Sequence, residues 1–196
     1  MKRSTAKKSN AIIKFISFFL ALGACLAAVF LTWEKDGVIF TDSSSVAFEI
    51  GFSPKGKSLN VILNGIKRAE KSILVATYSF TSKPISTALL EAHQRGVAVQ
   101  VVADAKSNSG QYSAVTFLSN QGVPVRVNDR YSIFHHKFMV IDNRHVETGS
   151  FNYSAAAVDR NAENVLLLMN VPELAERYAR EWQRLWNESE EVKPNY

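Results

Sequence analysis

Six residues toward the C-terminus have the types and spacing for chemistry on a phosphodiester. They are His135-x-Lys137, then Asp142, then Gly149-Ser150-x-Asn152, within FHHKFMVIDNRHVETGSFNYS. An imidazole is partly neutral near pH 7 and can attack phosphorus, and an ammonium beside it offsets the charge on the phosphoryl oxygens. Hydroxyl and amide donors hold the same oxygens. On a strand, side chains at i and i+2 share a face, which groups His135 with Lys137 and turns His136 away. Ser150 and Asn152 share a parity after the Gly149 turn. Asp142 completes the candidate catalytic set by spacing, but its parity is wrong for direct contact, so it is expected to tie down the turn. A nucleophilic histidine needs an acceptor on its second ring nitrogen. Glu163, in Asn161-Ala162-Glu163-Asn164, is the candidate.

Positioning such a set requires rigid elements, and the pattern supplies them in alternation. Strands are expected at 46–52, 73–80, 97–103, 123–127, 134–141, 145–148 and 165–169. Helices are expected at 59–71, 85–94, 112–120 and 172–188. The first helix turns Val61, Ile62, Ile66 and Ala69 inward; the last has a stripe of Leu174, Tyr178, Trp182 and Leu185. Strands alternating with helices imply an α/β fold, a mixed and mostly parallel sheet sandwiched by helices. It forms one domain over 46–190, after a linker at 35–45 rich in Asp, Gly and Ser, with 191–196 as a tail. Trp182 and Trp186 are expected in the core rather than as a base-stacking platform. His93 and His145 read as surface or packing residues.

The bulk charge is misleading. The chain has 23 basic and 18 acidic side chains, yet residues 1–35 carry six basic ones against Glu34 alone. The remainder balances, so an anionic partner must meet a local patch and not a basic domain. Residues 1–34 combine a basic start with an uncharged apolar run over 15–33, long enough to cross a bilayer, and the flanking charge keeps the N-terminus inside. The expectation is export, to the periplasm or to an inner-membrane anchor with the domain outside. An uncleaved anchor, cleavage after Ala24 or Ala28, and lipidation at Cys25 all remain open. Cys25 is the only cysteine, so no intrachain disulfide forms.

The His-x-Lys and Gly-Ser-x-Asn string resembles the HKD motif of the phospholipase D superfamily. A single copy in a short exported chain is similar to the small bacterial Nuc-type endonucleases of that family. Gly51–Pro54, Ala76–Thr81, Glu147–Asn152 and Trp182–Trp186 extend the likeness over about 46–187. The resemblance implies that His135 forms a phosphohistidine, that Lys137, Ser150 and Asn152 bind phosphate, and that Glu163 orients the histidine. Since the family's site uses two such motifs, it also implies a homodimer with the active site on the two-fold axis. No metal or other cofactor is expected. The implied substrates are DNA or RNA, with phospholipid head groups as the alternative. The short chain has no evident acyl-binding insertion, which favours the nuclease. Candidate groove cations are Lys55, Lys57, Lys106, Arg126, Arg130, Arg144 and Arg160. Residues 15–33 would contact a membrane if retained.

Two rival readings are available. Gly51–Ser58 fits G-x-x-x-x-G-K-[ST], with Asp104 ending a second strand like a magnesium-site aspartate, which would make an NTPase. A pattern so loose arises by chance in roughly 1% of such chains, whereas six fixed positions arise about once in 10^6. A metal site built from His135, His136, His145 and Asp142 fails because adjacent histidines on a strand diverge.

Overall fold

A computed structural model describes residues 46–110 and 113–194. Residues 1–45, which hold the leader and linker of the sequence reading, lie outside the described residues, as does Tyr112 of the third expected helix.

In chain order the elements are β1 (Ala47–Ser53), α1 (Ser58–Arg68), β2 (Ser72–Thr77), α2 (Lys83–Gln94) and β3 (Ala98–Asp104). A 3-10 turn (Lys106–Asn108), α3 (Ala114–Asn120), β4 (Val125–Asn128), β5 (Lys137–Ile141) and β6 (His145–Gly149) follow. The chain continues through α4 (Ala155–Asp159), β7 (Glu163–Met169), α5 (Pro172–Asn187) and β8 (Glu190–Glu191). Among the described residues the strands form one sheet in the order β1-β7-β6-β5-β2-β3-β4-β8.

Strand alternation builds two cores. Ile73 and Val75 of β2 point into a core roofed by α1 to α4, while Ala76 points into a second core under α5. The helix stripes fit these faces. Val61, Ile62, Ile66 and Ala69 are all buried, and each large side chain withdrawn from water contributes about 1.5–3 kcal/mol. On the opposite face Trp182 and Leu185 are 1% exposed, and the Trp182 Nε1–H donates to the Val75 carbonyl at 2.9 Å. The Trp186 ring stacks on Trp182 at 4.9 Å, so this pair is structural.

The sheet is mixed and sandwiched, but less parallel than the alternation suggests. Only β2-β3-β4 pair in parallel, and every other pairing is antiparallel. The reason is connection length. A parallel return needs a crossover helix, and β5 and β6 are instead joined at Asp142-Asn143, where both residues have positive φ, 55° and 53°. Two elements escaped the periodicity reading: five-residue α4, capped where the Ser154 hydroxyl accepts from Ala157 N–H, and β8, which borders β4.

Candidate active site

One edge of the sheet gathers the chemistry. Thr77 at the end of β2 pairs with Lys137 at the start of β5. Ser53 at the end of β1 pairs with Glu163 at the start of β7, and Gly149 at the end of β6 pairs with Val165. β3 and β4 end at the same edge, Asp104 opposite Asn128. The ends of seven strands therefore meet there.

His135 and His136 precede β5 instead of lying within it. The stretch is pinned by Asp104, whose carboxylate accepts from Phe134 N–H at 2.9 Å and Ser107 N–H at 2.7 Å. The expected parity nevertheless holds. Tyr78, just beyond β2, has its ring 4.8 Å from that of His135 and 5.3 Å from the Lys137 Nζ, so both face one side. His136 turns away, edge-on to Phe134 and Phe138 and 3.8 Å from Glu181. Burial lowers its proton affinity while Glu181 opposes that effect. The His135 side chain is exposed, whereas Lys137 is only 7% exposed and donates from Nζ to the His135 carbonyl at 2.9 Å. Burial pushes the Lys137 ammonium below the ordinary lysine range, and the Glu163 carboxylate pulls it back up.

Ser150 and Glu163 form a second pair. The Ser150 hydroxyl donates to Glu163 Oε2 at 2.5 Å and accepts from Asn164 N–H at 3.1 Å. Glu163 Oε1 accepts from Asn161 Nδ2 at 3.0 Å. Both Glu163 oxygens are thus engaged within the loop, and no hydrogen bond joins Glu163 to His135 among the described residues. Within the chain Glu163 accepts from Ser150 and Asn161 and raises the proton affinity of Lys137. The Asn152 Oδ1 is enclosed without a hydrogen-bond partner, a state that costs about 1–3 kcal/mol.

Gly149 is required by close approach. A Cβ there would stand 2.1 Å from the Asn164 carbonyl oxygen. Beneath the Gly149–Asn152 loop, the buried Tyr153 hydroxyl donates to Glu147 Oε2 at 2.6 Å. Burial raises the Glu147 carboxyl to about 7, with the Tyr153 hydrogen bond pulling the other way.

Asp142 sits at the opposite end of β5. Its carboxylate accepts from the N–H groups of Glu70, Lys71 and Ser72 at 3.0, 2.7 and 2.9 Å. It ties the β5–β6 turn to the exit of α1, which is why that helix stops at Arg68 and not at 71. Burial raises its pKa, but the three amides outweigh this and hold the carboxyl below its usual range.

The cation set divides by position. Arg126 lies over the Trp186 ring at 4.6 Å and donates to its carbonyl, and Arg144 bonds Asn170 at the far end, so neither serves the site. Arg130 pairs with Glu188 at 3.6 Å. Lys55, Lys57, Lys106 and Arg160 stand exposed on loops at the site edge. A cleft of about 410 Å³ opens there between His135, Lys137, Thr148, Gly149, Tyr178 and Arg177. Sequence reasoning overlooked Arg177, Tyr78 and Asn161. The place of Tyr78 just after an apolar strand is the signal that marked it.

The NTPase geometry is absent. β1 is an edge strand antiparallel to β7, and four strands separate it from β3, which carries Asp104. A P-loop strand and its aspartate strand must be near neighbours for one ion to join them. Asp104 is instead occupied in anchoring Phe134 and Ser107.

Residues 62–186 match the family model described as cardiolipin synthase, PLD-like domain. The chain belongs to the phospholipase D family. The crystal structure of Nuc from Salmonella typhimurium, a phospholipase D family member, superposes with a TM-score of 0.74 at 38% identity. That match covers 76% of this chain and 99% of Nuc. A phospholipase D from Rickettsia felis is 38% identical over 131 residues, covering 67% of this chain and 65% of that protein. Mouse mitochondrial cardiolipin hydrolase is 30% identical over 139 residues, covering 71% and 62%. The chain thus spans about 65% of the length of the first of these curated relatives. Phospholipase D family members are phosphodiesterases and related hydrolases, in keeping with the site edge described above.

Proposed function

We propose that this chain is a phosphodiesterase that works through a phosphohistidine and cleaves nucleic acid with little sequence preference. The observation that carries the reading is the convergence of exposed His135 and buried Lys137 on Tyr78, beside the Ser150–Glu163 pair. The exposed imidazole attacks phosphorus. Lys137, Ser150 and Asn152 hold the non-bridging oxygens, Asn152 through the N–H groups of its Nδ2. The P–O bond to the leaving group breaks as the His135–P bond forms, and a proton must reach the departing oxygen. His136 faces the wrong way, so a second copy's His135 supplies that proton and then takes one from the attacking water. Water cleaves the phosphoramidate and frees His135. A fixed cation and neutral donors do the work otherwise given to a metal ion, and activity in EDTA checks this.

Lys55, Lys57, Lys106 and Arg160 at the site edge favour a polyanion gripped by its phosphates. The names of the Rickettsia and mouse relatives favour a second reading, hydrolysis of a phospholipid head group. Plasmid nicking and choline release from phosphatidylcholine vesicles, run on one preparation, separate the two. Nicking with His135→Ala inactive supports the nuclease. Choline release without nicking supports the lipase, and full turnover by His135→Ala overturns both.

A further inference from the structure

Gly51–Ser58 lacks the neighbouring aspartate strand of a nucleotide loop, yet it still carries a strand end into a helix N-terminus. α1 lies against β1 and β7, and Asp142 holds its exit at the far end of β5. Its first turn therefore opens at the edge of the sheet where His135 and Lys137 stand. The first N–H groups of a helix have no partner within it. Among the described residues no hydrogen bond is made by those of Ser58, Leu59 and Asn60. The Lys57 side chain does not cap the helix, and the first turn carries no acidic residue. The partial positive charge at this end has no anion beside it.

Two enclosed hydroxyls belong to the same place. Ser53 is 8% and Ser58 1% exposed, and neither Oγ has a hydrogen-bond partner. Strand parity fixes where Ser53 points. A Cβ on Gly51 would lie 2.7 Å from the Ser58 N and Cα, so the start of α1 covers the face of β1 that Gly51 and Ser53 share. Ser53 is two residues nearer the sheet edge, and its hydroxyl stands in front of the first turn. A buried hydroxyl without a partner costs stability, and a phosphate oxygen would accept from it. Gly56 allows the loop to fold this tightly, since a Cβ there would overlap the Phe52 carbonyl oxygen. Lys55 and Lys57 stand exposed on the same loop.

This place adjoins the reacting centre without coinciding with it. Ser53 pairs with Glu163, which accepts from the Ser150 hydroxyl. β7 separates β1 from β6, so the Gly149–Asn152 loop is two strand spacings away, about 10 Å. One phosphate cannot touch both. A strand rising 3.4 Å per nucleotide, or more when extended, brings a phosphate roughly one to three nucleotides along into reach.

We propose that the N-terminus of α1, with Ser53, Ser58, Lys55 and Lys57, is a second phosphate subsite. It binds an unreacting phosphate of a polynucleotide whose scissile phosphate sits at His135. This inference rests on the nuclease reading for the identity of the ligand. Its donors are backbone amides, hydroxyls and ammonium groups, which read no base, so the subsite adds grip and register without sequence preference.

The test uses the full chain in detergent and compares turnover of bis(p-nitrophenyl) phosphate, a lone diester, with that of a short oligothymidylate. Ser53→Ala/Ser58→Ala removes two hydroxyls that bond no member of the catalytic set, so its melting temperature should equal or exceed that of wild type. Its KM for the oligothymidylate should rise about tenfold, with turnover of the lone diester unchanged. If that variant fails to fold, Asn60→Asp is used; the residue is exposed, and the new charge favours the helix while opposing an anion at its start. It should raise the same KM about threefold. No loss on the oligothymidylate, or equal losses on both substrates, overturns the inference.

Amide chemical shifts give an independent arm. In the His135→Ala chain the oligothymidylate should move the N–H signals of Ser58, Leu59 and Asn60. Unmoved signals overturn the subsite. So does an equal response to the same concentration of inorganic phosphate, or a response to phosphatidylglycerol vesicles alone. The two claims fail separately. A wild type that turns over neither substrate sinks the enzymatic reading, and the amide shifts still decide the subsite. Full turnover with unmoved amides does the reverse.

Discussion

Glu147 is a carboxylic acid fully enclosed beneath the Gly149–Asn152 loop, and its behaviour with pH follows from that burial. Its folded pKa of about 7 lies above the ordinary 4.5. Below pH 4.5 the group is neutral in both states and carries no penalty. As pH rises toward 7 the unfolded chain ionises first, so folding loses stability, on the order of 3 kcal/mol in all, and the loss is complete above 7. Glu147→Gln removes the titration while keeping a partner for Tyr153. Its melting temperature should match wild type at pH 4.5 and exceed it at pH 8; equal values at both would contradict the assignment. Asp142 has the opposite sign. Its folded pKa is depressed, so its contribution is present above the ordinary carboxylate range and fades as pH falls through the folded value. Asp142→Ala should lose about 2 kcal/mol through three backbone hydrogen bonds, with kcat within a few-fold of wild type, since the carboxylate sits at the far end of β5. Chemical denaturation and steady-state turnover separate these effects.

At the scale of elements, Gly149 shows how β7 and the loop after β6 position the chemistry. Gly149→Ala puts a methyl 2.1 Å from a β7 carbonyl that can yield only by moving the strand that begins with Glu163. The expected loss is about 1–3 kcal/mol of stability, together with a fall in kcat that Gly→Ala changes at the open turn of Gly122 should not cause. Motif residues, helix stripes and most strands were legible because each depends on local pattern: parity on β5, a 3.6-residue stripe on α1 and α5. Sheet order was not. Nothing local in Ala47–Ser53 says that β1 will pair with β7 at the edge, and that one non-local fact dismisses the NTPase reading of Gly51–Ser58. The role of Glu163 was half legible. Its place opening β7 was visible, but its engagement by Ser150 and Asn161 depends on how two loops meet. Arg126 and Arg144 looked like groove cations because charge on a loop or strand end carries no direction in sequence. Removal of Lys57 or Lys106 should raise KM for long DNA by a few-fold with kcat unchanged, since contacts to phosphates beyond the scissile one bind without catalysing.

For the whole molecule, the governing idea is that half a site is built in each chain. The folded domain has balanced charge, so attraction to a polyanion is local and should be screened steeply by salt. Activity should be second order in protein below the dimerisation constant, so specific activity falls on dilution and recovers on concentration; a constant specific activity for a demonstrated monomer would refute the paired site. The most direct measurement is mass spectrometry of tryptic peptides after a brief acid-free quench of enzyme mixed with substrate. The account predicts a phosphoryl fragment on His135, absent from His135→Ala. Turnover with no adduct on His135, or an adduct on another residue that persists in His135→Ala, would contradict it.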